Sequence, residues 1–373
     1  MTNEFHITIR KPGHSPGYGE REEEILQHDS PLLMHIRNTI CWQEGCLKLL
    51  DRRRLPHIIE FREYTSYEDV ARAIEDMVVQ GAGHIAITAG YGVALAAMSA
   101  TSGDRCEAAR IAIERMRRTR PTGSRLFSML DELSDVIDSA AEAGGDPSAA
   151  IVTYVERYID ANERSARLCG CYAADLLEDG DRVLTHCFAG PALLFMLEKA
   201  RRDGKKISVF ASETRPYLQG ARLTSFAIAQ MGIGVTLITD NMPAYCMSAG
   251  LVQKVVTATD RISLDGYVAN KIGTYQYAIA ASYHRIPFYI LGYGGPDPKT
   301  KSNADIKIEM RDPSEVTSFM GVSIVAPGVT GFYPAFDITP PELITAIITD
   351  RGVFKPAAIA DYLVASRREQ VGC

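Results

Sequence analysis

The sequence predicts an α/β protein whose C-terminal half is built on a parallel β-sheet. Four short β-branched runs recur between residues 181 and 271, and each is followed by a polar cluster and a helical pattern; the runs are 182–186, 207–211, 235–239 and 255–259. This alternation is typical of βαβ units, which form parallel sheets. Because 373 residues exceed one typical core, we expect two domains.

The composition excludes several classes of protein. Apolar residues make up 46% and charged residues 23% of the chain, as in soluble globular proteins. The formal charge of −6 argues against a general nucleic-acid binder. Residues 1–20 lack the apolar core of a signal peptide, and the apolar region 85–100 is too short to span a bilayer. We therefore expect a cytoplasmic protein that has neither nucleic acid nor a membrane as a partner.

The eight cysteines carry no metal-site pattern. No CxxC pair and no Cys/His run at zinc spacing occurs, so no metal site is expected. Cysteines scattered in this way suit free thiols in a reducing cytoplasm.

The chain order predicts four segments. Residues 1–30 are expected to form an irregular extension, 31–147 a smaller N-terminal domain, 148–178 a long linking helix and 179–373 the sheet domain. Apolar spacing predicts helices near 67–79, 85–99 and 104–116 in the N-terminal domain. Further strands are expected at 288–291 and 322–326, and a mostly helical tail at 341–364.

Reactive side chains follow the strands of the predicted sheet. Ligands bind beyond the carboxyl ends of parallel strands, so these side chains predict an active-site rim. They are Cys187, Glu213, Arg215, Asp240 and Asp260.

Two of these residues carry the chemistry that we expect. Cys187 precedes a Gly-Pro step into a helix, a position that can lower the pKa of a thiol; the alternative is a buried structural cysteine. His186 would point the opposite way on its strand, so a Cys–His pair is not expected. Asp260 could form a surface ion pair with Arg261, or donate a proton from an apolar cleft.

A glycine-rich turn precedes the second predicted helix. Gly81-Ala82-Gly83 resembles the start of a dinucleotide fingerprint, but a helix rather than a strand comes before it. We therefore reject a nicotinamide cofactor and expect a turn between helices whose amides face a phosphate.

Longer motifs resemble the methylthioribose-1-phosphate isomerase family. The resemblance runs from about residue 40 to residue 353, with the motifs in order. They are residues 92–96, 120–122, 184–190, 213–224, 260–262, 269–275, 311–313, 334–337 and 343–346.

The resemblance implies a fold, an activity and a site. It implies a mainly helical N-terminal domain, a Rossmann-like C-terminal domain, a homodimer and an aldose–ketose isomerase without metal or redox cofactor. The catalytic cysteine then falls at Cys187, which as a thiolate would move the C2 proton, and the proton-donating aspartate at Asp260. The implied substrate contacts are Gln80, Gly81, Ala82, Arg120, Gln219, Asn270 and Lys271.

Departures from the family pattern leave the sugar open. Gln80 stands where the family has a phosphate-binding arginine, and either Arg125 or His84 could compensate. Tyr333 stands in place of a usual asparagine. The expected substrate is S-methyl-5-thioribose 1-phosphate; 5-deoxyribose 1-phosphate and ribose 1,5-bisphosphate are alternatives. A non-catalytic ligand-sensing regulatory subunit, as among translation-factor relatives, is the alternative from another class.

Overall fold

The computed structural model describes residues 8–10, 30–43, 45–100, 105–120, 123–366 and 373. Most of the predicted extension 1–30, and Pro121 and Thr122 of the motif at 120–122, lie outside the described residues. The chain divides into two compact units, residues 1–163 and 164–373. Both mix helices with sheets, so the protein is of the mixed α/β class.

The first unit combines helices with a four-stranded sheet that the sequence did not predict. The sheet has the order β1-β4-β3-β2. Its strands are β1 (Thr8–Arg10), β2 (Ile40–Gln43), β3 (Cys46–Leu50) and β4 (Ile58–Tyr64). The helices are α1 (Tyr67–Glu75), α2 (Ala82–Ser99), α3 (Arg105–Arg117) and α4 (Ser124–Glu142), and α5 (Pro147–Ala174) runs on past the boundary between the units.

Helix α2 lies at the core of the first unit because its small residues admit close neighbours. A Cβ on Gly90 would lie 2.7 Å from Val155 Cγ2, and one on Gly92 only 2.4 Å from Met116 Cε. Among the described residues, α2 is also the one helix long and apolar enough to cross a membrane, and 83% of it is buried inside the fold.

The second unit is organised around a seven-stranded sheet of order β16-β15-β11-β8-β5-β6-β7, parallel except for β16. Two smaller sheets have the orders β14-β10-β9 and β12-β13. The strands are β5 (Arg182–Thr185), β6 (Ser208–Ser212), β7 (Val235–Ile238), β8 (Lys254–Ala258), β9 (Arg261–Ile262), β10 (Val268–Lys271), β11 (Phe288–Leu291), β12 (Ser318–Phe319), β13 (Val322–Ser323), β14 (Phe336–Thr339), β15 (Ala346–Thr349) and β16 (Gly352–Phe354).

Helices connect these strands. They are α6 (Gly190–Arg202), α7 (Ser225–Gln230), α8 (Pro243–Ser248), α9 (Thr274–Tyr283) and α10 (Ser314–Thr317), with a π-helical turn at Gly220–Thr224 and 3-10 turns at Asn303–Asp305, Pro341–Leu343 and Pro356–Leu363. The four β-branched runs are parallel strands, as the alternation predicted.

Two predictions for the end of the chain are wrong. Residues 346–349 form a fully buried strand beside β11 rather than part of a helix, because β-branched residues pack well inside a sheet. Val322 and Ser323 pair with β12 in a separate hairpin and do not extend the large sheet.

One pair of cysteines departs from the expected free thiols. Cys171 on α5 and the terminal Cys373 form a disulfide that closes a separation of 202 residues. The other six cysteines, all within the described residues, form no disulfide.

Candidate active site

Two neighbouring strands of the large sheet lead the chain in opposite directions. From β5 the chain continues to β6 and β7, whereas from β8 it continues to β11 on the other side. Because β5 and β8 pair in parallel, their carboxyl ends flank the kind of crevice where open α/β sheets bind ligands. Cys187 lies two residues beyond β5, and Asp260 lies two residues beyond β8. The topology therefore brings both side chains to one switch point.

The backbone of Cys187 is held in a strained turn. Its φ of 59° lies in the left-handed region, which costs a residue with a side chain roughly 1–3 kcal/mol. The amide N–H donates to Thr214 Oγ1 at 2.9 Å, and the carbonyl accepts from Thr224 Oγ1 at 2.6 Å. Both threonines belong to the segment after β6, so this neighbouring connection holds the turn in place.

His186 is a structural anchor within the second unit. Its Nδ1 lies 2.7 Å from Ser212 Oγ, and its Nε2 lies 2.9 Å from the Ile272 carbonyl. Burial lowers the pKa of His186 to about 4, so the ring is neutral at physiological pH. Both ring nitrogens have these partners, which agrees with the expectation that His186 does not pair with Cys187.

Burial dominates the electrostatics of Cys187. Desolvation raises the pKa of the thiol to about 11; the Lys271 ammonium opposes this rise, and the Asp260 carboxylate adds to it. The lowered pKa that the position before α6 predicted is therefore wrong, because the cost of burying a thiolate exceeds the help of nearby donors. The resting residue is a neutral thiol.

We expect alkylation of Cys187 by iodoacetamide to accelerate about tenfold per pH unit from pH 7 to 10, because the thiolate is the nucleophile. Lys271→Met should slow the reaction at each pH, since the ammonium lowers the pKa of Cys187, and Asp260→Asn should accelerate it. Mass spectrometry of the peptide that contains Cys187 gives the rate. A plateau below pH 8 would contradict a resting thiol.

A three-stranded antiparallel sheet places more polar side chains beside Asp260. The Asp260 N–H donates to the Ala269 carbonyl at 2.9 Å, so Asn270 and Lys271 follow directly on β10. Lys271 is buried, and its Nζ lies 5.0 Å from the centre of the Phe336 ring. Burial lowers the pKa of Lys271, whereas negative charge at Cys187 and Asp260 raises it. Cys187, Asp260 and Lys271 therefore interact electrostatically.

The side-chain amide of Gln219 is available to bind a ligand. The residue is 6% exposed, and within the described part of the chain its Oε1 accepts no hydrogen bond. The next residue must be glycine, because a Cβ on Gly220 would lie 1.7 Å from the Ser212 carbonyl oxygen. Gln219 is thus set directly against the carboxyl end of β6.

The other rim residues mainly support the turn after β6. The Asp240 carboxylate accepts from the amides of Thr214 at 2.8 Å and Arg215 at 2.6 Å. Arg215 Nη2 donates to the carbonyls of Val316 and Ser318, both at 3.2 Å. Burial raises the pKa of Glu213, and the neighbouring Asp240 raises it further. Asp240 and Arg215 are therefore structural ties between segments.

The first unit contains the expected phosphate residues. Gly81, with φ of 95°, is the N-cap of α2, and within the described residues no side chain caps this end of the helix. Gln80 is buried and its carbonyl accepts from Arg52 Nη1 at 2.7 Å, while Arg120 Nη1 lies 3.0 Å from Met77 Sδ. Ala82 opens the helix itself.

Only one of the two expected substitutes for the missing arginine is suited to that role. Burial, aided by the charge of Arg52, lowers the pKa of His84 well below its usual value, so His84 is neutral and cannot replace a cation. Arg125 Nη1 lies 3.6 Å from the point where a Cβ on Gly83 would sit, against the first turn of α2. Among the described residues, no group of three His, Cys, Asp or Glu side chains could hold a metal ion.

Comparison with known proteins gives a consistent result. Residues 78–356 match the model of the initiation factor 2 subunit family. The methylthioribose-1-phosphate isomerase of Albidiferax ferrireducens is 42% identical over 330 residues, which cover 85% of this chain and 93% of that protein.

Two solved structures share the fold. The 5-methylthioribose 1-phosphate isomerase of Pyrococcus horikoshii superposes with a TM-score of 0.77 at 33% identity, covering 87% of this chain and 94% of the other. The translation initiation factor eIF-2B subunit delta from A. fulgidus has a TM-score of 0.75 at 36% identity, covering 88% and 97%.

Proposed function

Because this chain belongs to the initiation factor 2 subunit family, we propose that it is an aldose–ketose isomerase, which converts S-methyl-5-thioribose 1-phosphate to S-methyl-5-thioribulose 1-phosphate in methionine salvage. The observation that carries this proposal is the meeting of Cys187 and Asp260 at the switch point of the sheet. The strand order on both sides of that point supports a Rossmann-like second unit.

The chemistry explains why a thiol and a carboxylic acid are needed. An aldose 1-phosphate cannot open to a free aldehyde while its anomeric oxygen is esterified, so the bond from C1 to the ring oxygen must break directly. Asp260 in its acid form protonates the ring oxygen as that bond breaks. Cys187 then removes the C2 proton and returns it to C1, while the C2 hydroxyl becomes the carbonyl and its proton restores the acid form of Asp260.

The charges around Cys187 suit this proton transfer. A thiol whose pKa is about 11 must lose its proton before it can act as a base. Lys271 stabilises the thiolate, and protonation of Asp260 removes the negative charge that opposes it. The acid form of Asp260 and the thiolate of Cys187 therefore favour each other.

The remaining substrate contacts are part of the proposal. Gln219, Asn270 and Lys271 of the second unit bind the sugar. For the first unit taken by itself, the family resemblance implies phosphate contacts at Gln80, Gly81, Ala82 and Arg120, and the amides at the start of α2 and the nearby Arg125 suit an anion.

A homodimer in the cytoplasm completes the proposal. Exposed apolar side chains on the β12–β13 hairpin, such as Met320 and Val322, and in the chain after it, such as Phe332, support an interface with a second copy. The six other cysteines, which form no disulfide, support a reducing compartment.

Ribose 1-phosphates that differ only at C5 test the activity. We expect the 5-methylthio compound to give the highest kcat/KM, roughly 10- to 100-fold above the 5-deoxy compound, because an apolar pocket gains from each buried group. Phe188, half-buried next to Cys187, makes the site more apolar, and ribose 1,5-bisphosphate should be the poorest substrate. NMR detection of the ketose 1-phosphate measures the rate. A higher kcat/KM for either alternative would reassign the substrate.

A regulatory subunit without catalysis is the second candidate. It is favoured by the similarity to the eIF-2B subunit delta from A. fulgidus. That function predicts binding of a sugar phosphate without turnover of any ribose 1-phosphate in the same assay.

A further inference from the structure

Hydrogen bonds of the backbone hold the segment that contains Tyr333 beside the strand that carries Lys271. The Tyr333 carbonyl accepts from the Arg311 N–H at 2.9 Å, and the Ala335 carbonyl accepts from the Ile272 N–H at 3.0 Å. Phe336 then pairs with Lys271 across β14 and β10. The segment from 333 to 336 therefore runs directly beside the strand that carries Lys271.

The hydroxyl of Tyr333 is buried without a protein partner. The residue is 2% exposed, and its hydroxyl forms no hydrogen bond within the described ranges of the chain. Leaving a buried hydroxyl without a hydrogen bond destabilises the fold, so proteins seldom keep such a group without a use for it. A phenylalanine would fill the same space without that cost.

The surroundings of Tyr333 define what could bind there. Arg311 Cζ lies 5.8 Å from the centre of the Tyr333 ring, and Arg311 Nε lies 3.7 Å from a Glu315 carboxylate oxygen. Burial is the main cause that raises the pKa of Tyr333 to about 12; the Arg311 guanidinium opposes the rise, and negative charge at Glu315 and Cys187 contributes to it. The hydroxyl is therefore neutral and lies within electrostatic range of the thiol. A neutral group that both donates and accepts hydrogen bonds suits a sugar hydroxyl better than a phosphate.

We propose that the Tyr333 hydroxyl is a specificity determinant that hydrogen-bonds a ribose hydroxyl, at C2 or C3, beside the carbon that Cys187 deprotonates. This inference rests on the proposed isomerase activity and adds a contact to it. Bound substrate gives the Tyr333 hydroxyl a hydrogen-bond partner. A sugar that lacks the matching ribose hydroxyl leaves the Tyr333 hydroxyl without one and should bind more weakly.

The test combines Tyr333→Phe with substrate analogues. On S-methyl-5-thioribose 1-phosphate, we expect Tyr333→Phe to lower kcat/KM roughly 10- to 100-fold. The 3-deoxy analogue, assayed as a substrate, and the 2-deoxy analogue, assayed as a competitive inhibitor, should each be compared between the parent and the variant. The analogue that lacks the contacted hydroxyl should bind or react nearly equally well with both proteins, which identifies C3 or C2.

Controls separate this contact from other roles of the residue. Tyr289→Phe, a half-buried tyrosine on β11, should leave kcat/KM unchanged. Tyr333→Phe should unfold at a temperature no lower than the parent, and the pH dependence of its kcat/KM should not shift. A lower unfolding temperature, a shifted pH profile or equal losses with both analogues would overturn the proposal. An inactive parent would instead refute the isomerase activity itself.

Discussion

Replacing Cys187 by serine is expected to lower kcat roughly 10³- to 10⁴-fold, because the residue acts as the general base at C2. A serine hydroxyl is a far weaker acid than a thiol, so the base would almost never form. Substrate binding should persist, since the Thr214 and Thr224 hydrogen bonds of residue 187 involve only its backbone. NMR gives kcat, and calorimetric titration with the substrate gives Kd.

Cys41→Ser provides the matched control. Cys41 is also half-buried and free, but it lies on β2 in the first unit. Its substitution should leave kcat unchanged. Turnover by Cys187→Ser at the parental rate would refute the role of the thiol.

Replacing Asp260 by asparagine should lower kcat roughly 10²- to 10⁴-fold, because the ring oxygen loses its proton donor. The Asp260 backbone N–H still donates to Ala269, so the turn that holds residue 260 should survive. Asp265→Asn, an exposed carboxylate in the same loop region, is the control and should retain the parental rate.

Deuterium exchange distinguishes the acid from the base. The ketose 1-phosphate carries acidic protons at C1 that Cys187 can remove without closing the ring. In D₂O, Cys187→Ser should therefore lose exchange of the C1 proton of the ketose. Asp260→Asn should keep a slower exchange, because its amide can still donate a hydrogen bond to the C2 oxygen as the enol forms. Loss of exchange in both variants would contradict separate roles and indicate that the two groups act as one unit.

Local patterns in the sequence were sufficient to predict the parallel sheet and the reactive side chains at its carboxyl edge. Strand alternation depends on nearest neighbours in the chain, so β5 to β8 and the polar residues that follow them could be predicted from residues 181 to 271. The strands of the first-unit sheet were missed because β2 and β3 are only four and five residues long, and their antiparallel pairing with each other and with β4 decides their conformation.

The protonation states of the site residues and their hydrogen-bond partners depended on contacts between segments that are distant in the chain. The sequence placed Cys187 before a helix, but only burial and the approach of Lys271 and Asp260 decided that its resting form is a thiol. His84 is neutral for the same reason. The unpaired hydroxyl of Tyr333 is a property of its whole surroundings, which no local pattern records. The sequence by itself determined the class of fold and the type of reactive group; the tertiary structure decided protonation and hydrogen bonding, because desolvation depends on everything packed around a group.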